Sequence, residues 1–94
     1  MSYMGVDIGT SGCKAVVFSD AGRQLSSARR AYAVQTPQPG WAELSSNEVM
    51  DACCAVIAEA AAQAPAGDPL RGLGISSQGE AFTPVGAHGE MLGN

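Results

Sequence analysis

Two short, largely apolar runs, residues 3–8 and 13–18, stand on either side of only Gly9-Thr10-Ser11-Gly12. A gap so small cannot hold the crossover that parallel strands require, so the runs must pair as a tight antiparallel hairpin. Ser19-Asp20-Ala21-Gly22 then supplies turn chemistry, with a glycine for a left-handed position. A third run, residues 24–34, mixes Leu25, Ser27 and Arg29 with Ser26, Ala28 and Arg30, as a half-exposed strand does. These features predict a three-stranded antiparallel meander.

Thr36-Pro37-Gln38-Pro39-Gly40-Trp41 interrupts the pattern, because two prolines remove ladder donors. Ser45 and Glu48 have capping-box spacing, and Leu44 and Val49 stand where a hydrophobic staple closes. Val49, Cys53, Val56, Ile57, Ala60 and Ala64 recur at helical spacing, with Met50 widening the stripe, and Pro65 and Gly67 end it. The stripe requires the helix to dock on the sheet. Residues 70–75 form a further strand candidate, and residues 81–85 and 90–92 around Gly86-Ala87-His88-Gly89 read as a hairpin. The predicted class is α/β, an antiparallel β-meander followed by a helix and further strands.

With 46% hydrophobic and 15% charged residues among 94, the chain reads as soluble and globular. Its net charge is −4, with no basic run beyond Arg29-Arg30, which argues against nucleic acid or an anionic membrane as partner. No apolar stretch approaches the length of a membrane span. Cys13, Cys53 and Cys54 cannot all pair within one chain, and the adjacent two point to different helix faces. They are expected to be reduced, in a cytoplasmic protein.

The turn at Asp7-Ile8-Gly9-Thr10-Ser11-Gly12-Cys13-Lys14 carries the chemistry. Small residues such as Gly9 and Gly12 let backbone N–H groups approach an anion, and the Thr10 and Ser11 hydroxyls can add hydrogen bonds. Asp7 can hold a hydrated Mg²⁺ beside phosphates, and Lys14 can neutralise phosphate charge. The pattern matches neither GxxxxGK[ST] nor GxGxxG, and Cys13 stands where a GxSxG elbow needs glycine. By itself, an ordinary glycine-rich hairpin would also account for it.

Residues 5–18, Gly-Val-Asp-Ile-Gly-Thr-Ser-Gly-Cys-Lys-Ala-Val-Val-Phe, resemble the start of the FGGY carbohydrate kinases. Pro39-Gly40-Trp41-Ala42-Glu43 resembles that family's P-G-W-x-E loop, and Leu73-Gly74-Ile75-Ser76-Ser77-Gln78 its G-I-S-x-Q strand end. Residues 85–90 resemble its following turn, so the likeness spans nearly the whole chain. It implies a partial ribonuclease-H-like domain of the actin and hexokinase-like ATPase superfamily, with ATP and Mg²⁺ as cofactors and a sugar or polyol as substrate. By position it implies ATP-phosphate contacts at Asp7, Gly9, Thr10, Ser11, Gly12 and Lys14, with Asp7 also associated with the metal. Gln78 and Glu80 fall in the sugar-contacting segment. Gly79 stands where relatives of the glycerol kinase type carry arginine, which leaves the particular sugar open. A solvated hairpin carboxylate is the other reading of Glu80. Trp41 is read as a loop anchor packed on the sheet, His88 as a solvated turn residue, and Arg29 and Arg30 as needing no ligand.

In this family the catalytic aspartate comes much later in the chain. The 94 residues are therefore expected to be the N-terminal part of the first kinase domain, inactive alone, and to self-associate through apolar surface left bare. The alternative is a nucleotide-binding module of an actin-like assembly protein without sugar chemistry.

Overall fold

The hairpin demanded by the short gap forms. In the computed structural model, which describes residues 1–79 and 81–93, β1 (Ser2–Ile8) and β2 (Gly12–Ser19) pair antiparallel, and β3 (Gln24–Ala31) adds antiparallel to β2. Gly22 takes the left-handed conformation (φ 83°), and its N–H bonds to the Ser19 carbonyl at 2.9 Å. β3 stops short of the expected residue 34. Its last residue, Ala31, pairs with Gly12, the first residue of β2, so the ladder has no partner beyond it.

Helix α1 (Ser46–Gln63) begins where the capping signal placed it, with Ser45 Oγ accepting from the Glu48 N–H. β4 (Leu70–Ser77) runs to Ser77, past the expected residue 75, and pairs parallel to β1, giving the order β3-β2-β1-β4. The intervening helix supplies the crossover that a parallel partner requires. The start of β4 is pinned to the N-terminus: Ser2 N–H donates to the Pro69 carbonyl, and the Met1 ammonium lies 2.7 Å from Asp68 Oδ1.

Strand alternation sorts the sheet into two unlike faces. Met4 and Val6 of β1, Cys13, Ala15 and Val17 of β2, and Ala28 of β3 are buried with Ala52, Cys53, Val56 and Ala60 of α1. Val56 is fully buried, worth about 1.5–3 kcal/mol relative to exposure. Cys53 points inward and Cys54 outward, and all three cysteines are free. Ser26 Oγ donates 2.7 Å to the Ala60 carbonyl, satisfying a buried hydroxyl while tying β3 to the helix.

The helix lies over β2 and β3, not centrally over the sheet. Met50, expected to widen the buried stripe, is instead 59% exposed, on a helix that contacts β1 little and borders an open groove with Ile75 and Phe82. Ile75 of β4, in register with buried Val6, is 62% exposed for the same reason. The expected hairpin over residues 81–92 shrinks to a single Val85–Met91 bridge around a turn with Gly89 at φ 81°. Pro84 accepts from the Leu92 N–H but has no N–H to return, so the ladder cannot lengthen.

Candidate phosphate-binding site

The loop between β1 and β2 is closed on one side only. Gly9 N–H donates to the Gly12 carbonyl at 2.9 Å, but Gly12 N–H does not return the bond to Gly9. The Gly9 carbonyl accepts instead from the Tyr32 hydroxyl at 2.5 Å, and that hydroxyl also lies 3.1 Å from the Gly12 carbonyl. Tyr32 N–H donates to the Ser11 carbonyl at 3.1 Å, which makes Gly12–Ala31 a non-hydrogen-bonded pair. Among the described residues, the N–H groups of Thr10, Ser11 and Gly12 thus have no acceptor. Thr10 and Ser11 are exposed. Successive open N–H groups in a turn are the kind of feature from which anion-binding concavities are built.

Neither Gly9 nor Gly12 has positive φ. Crowding bears on both, severely at Gly12 and mildly at Gly9. A Cβ on Gly12 would lie 2.6 Å from the Arg30 carbonyl oxygen, and one on Gly9 would lie 3.2 Å from that of Gly12.

On the face away from α1, the strand register places Arg29, Lys14, Asp7 and Ser76 in one row across β3, β2, β1 and β4. Asp7 and Lys14 are exposed direct neighbours, yet no ion pair joins them. They border a shallow concavity of about 410 Å³ that includes Gly5, Gly74 and Ser76. Gly5 and Gly74 contribute no side chains to it, whereas Lys14, Val16, Phe18 and Ser76 do.

Gln78 sits on the other side of the β1 end. Its N–H donates to the Ile8 carbonyl at 3.1 Å, and it lines a groove of about 710 Å³ with Thr10, Ser46 and Phe82. Thr10 and Gln78 are thereby brought together, while Asp7 and Lys14 open to the opposite face. Glu80 lies outside the described residues. Trp41 is 52% exposed and does not anchor its loop on the sheet. Backbone bonds between Gln35 and Glu43, and from the Trp41 N–H to the Gln38 carbonyl, already close that loop. His88 is exposed, as expected of a turn residue.

Sequence reasoning missed Tyr32 and Ser76 and set Arg29 aside. Ser76 becomes a neighbour of Asp7 only through the parallel register, and Tyr32 through a bond across 23 residues. Neither leaves a local signal.

Three antiparallel strands with a parallel fourth and one helix on one face define a mixed α/β class of fold. Residues 2–94 match the N-terminal domain of the FGGY family of carbohydrate kinases. The chain belongs to that family. It is 34% identical over 93 residues to an L-xylulose/3-keto-L-gulonate kinase of Escherichia coli, covering 98% of this chain and 19% of the relative. It is 33% identical over 78 residues to a glycerol kinase of Bacillus velezensis, covering 82% of this chain and 16% of that protein. The crystal structure of xylulose kinase from Rhodospirillum rubrum superposes with a TM-score of 0.91 at 27% identity, over 98% of this chain and 19% of that one. The fold is thus that of the actin-like ATPase sugar kinases, in part, and the chain spans less than a fifth of the length of each of these relatives.

Proposed function

We propose that residues 1–94 form the N-terminal part of the first domain of an ATP-dependent kinase that transfers the γ-phosphoryl group to a sugar or polyol hydroxyl. The observation that carries this reading is the open turn between Asp7 and Lys14, in which three successive N–H groups have no acceptor among the described residues. The family match over residues 2–94 supports a kinase over an actin-like assembly module.

Phosphoryl transfer is catalysed mainly by positioning and by charge stabilisation. In this reading the N–H groups of Thr10, Ser11 and Gly12 hold phosphate oxygens, the hydroxyls of Thr10 and Ser11 add donors, and Gly9 keeps the backbone accessible. Lys14, with Arg29 beside it in the row, offsets phosphate charge. Asp7 is exposed and free of ion pairs among the described residues. One available carboxylate beside a phosphate site fits Mg²⁺, which takes one or two carboxylates and completes its shell with phosphate oxygens and water. The ion would supply charge neutralisation on the phosphates. Gln78 and Glu80 are assigned to the sugar. The proton-accepting carboxylate is assigned to none of these residues, so the chain by itself is proposed to transfer no phosphoryl group. No described helix is long and apolar enough to cross a membrane. The three free thiols support a cytoplasmic setting.

Titration of ATP with Mg²⁺ into the ¹⁵N-labelled chain tests the phosphate site. The amides of residues 9–12 are expected to shift first, and Asp7→Asn should remove the Mg²⁺ dependence. A response confined to other residues would refute the assignment.

A further inference from the structure

Tyr32 lies one residue past the end of β3, and nothing in the kinase reading uses it. Its ring is buried, 7% exposed, beneath the β1–β2 turn. Its hydroxyl reaches the Gly9 carbonyl at 2.5 Å and the Gly12 carbonyl at 3.1 Å. A phenol has one proton to donate, so the two carbonyls share it. The Gly9 carbonyl is the atom that Gly12 N–H would bond if the hairpin closed fully, because Gly9 N–H already bonds the Gly12 carbonyl. The carbonyl has two acceptor sites, so the tyrosine does not block that bond; it supplies the donor that Gly12 N–H would otherwise be the group to supply.

We propose that Tyr32 is a positioning residue that props the turn open, keeping the Gly12 N–H free for a phosphate oxygen. The role rests on the phosphate reading above and adds a residue to it. Two further features fit the part. Tyr32 N–H holds the Ser11 carbonyl, so the same residue fixes the turn at its far side and its backbone cannot drift from it. The Arg30 carbonyl lies against Gly12, so the β3 end that carries Tyr32 is packed directly on the turn. Burial is the first cause, ahead of Cys13, Cys53 and Asp7, that pushes the phenol above its ordinary value. At neutral pH it is therefore protonated and a donor.

Without the hydroxyl, the Gly9 carbonyl would be left without a donor, and Gly12 N–H is the group placed to satisfy it. Closing that bond converts an open anion cradle into an ordinary hairpin turn. Tyr32→Phe removes the hydroxyl and keeps the ring that fills the space.

Amide hydrogen exchange and ATP·Mg²⁺ titration of the 94-residue chain, wild type and Tyr32→Phe, separate the two ideas. Exchange at Gly12 N–H tests the tyrosine, and the titration tests the phosphate site. The wild-type Gly12 amide should exchange almost as fast as an unprotected amide. In the variant it should slow by about five- to tenfold, the worth of one hydrogen bond, and the ATP affinity should fall by a similar factor. A merely structural tyrosine would lower the melting temperature without protecting Gly12. That outcome overturns the proposal, as does equal ATP affinity in the two proteins. If wild type shows no response to ATP at residues 9–12, the phosphate reading fails and the binding role of Tyr32 fails with it, whatever the exchange data show. If the variant does not fold, the wild-type Gly12 amide decides: fast exchange supports the prop and slow exchange overturns it.

Discussion

Gly12→Ala tests how tightly the site is built into the sheet. The new Cβ would stand 2.6 Å from the Arg30 carbonyl oxygen and 3.3 Å from Ala31 Cα, well inside contact distance. Both are backbone atoms, so no side chain can swing aside. Relief requires the β2–β3 ladder to part where Tyr32 is anchored. Overpacking of this kind costs about 1–3 kcal/mol. Because φ at Gly12 is not positive, alanine suffers no added backbone strain. It recovers about 0.4–1 kcal/mol by restricting the unfolded chain. The expected net loss is about 0–2.6 kcal/mol, and its centre at about 1.3 kcal/mol lowers Tm by roughly 5–10 °C for a domain of this size. Gly5→Ala is the matched control, since nothing lies within 4 Å of its added Cβ. Urea unfolding followed by far-UV circular dichroism gives both values. Equal midpoints for Gly12→Ala and Gly5→Ala would refute the crowding described for the turn.

Other expectations follow from the core and the bare surface. Burial, with Cys13 close by, pushes the Cys53 thiol up to about 11 from 9.0, and burial also raises Tyr32. Both groups hold protons more tightly folded than unfolded, so stability should be full below pH 9 and fall as pH rises through about 11. A urea midpoint that stays flat from pH 8 to 11 contradicts this. Ser26→Ala strands the Ala60 carbonyl in the last turn of α1, where Ala64 N–H already bonds Ala61. It should cost about 1–3 kcal/mol, read as a lower urea midpoint, and an unchanged midpoint would mean that this bond contributes nothing net. Leu73, Ile75 and Phe82 are 49%, 62% and 86% exposed, so the chain should self-associate, and Ile75→Lys should weaken that association. Sedimentation showing only monomer at micromolar concentration would overturn this expectation.

Local signals were legible and non-local ones were not. The four-residue gap after Ile8 dictated the hairpin, and Ser45 with Glu48 marked the helix start, because each depends on residues within one turn of chain. Asp7 and Lys14 were readable as neighbours for the same reason. The burial of Met50 was misjudged because periodicity gives the apolar face of a helix but not its lateral position over a sheet. Trp41 was expected to anchor its loop, but the Gln35–Glu43 bonds do so instead, and strand pairing across a proline-rich loop has no sequence signature. The site divides along the same line. The turn itself was visible, whereas Tyr32 and Ser76 enter it only through pairings across many residues.

The parallel strand β4 bears on the order of folding. Hairpins β1–β2 and β2–β3 close over a few residues, and α1 packs on the same strands. β4 joins its partner only after some sixty residues of chain, and every residue in it is exposed. Loop-closure entropy is therefore met with almost no buried apolar area in return. In the 94 residues by themselves, β4 is the natural candidate for the last element to dock and the first to detach, so the segment bearing Ser76 and Gln78 would open and close on a meander that already carries the β1–β2 turn.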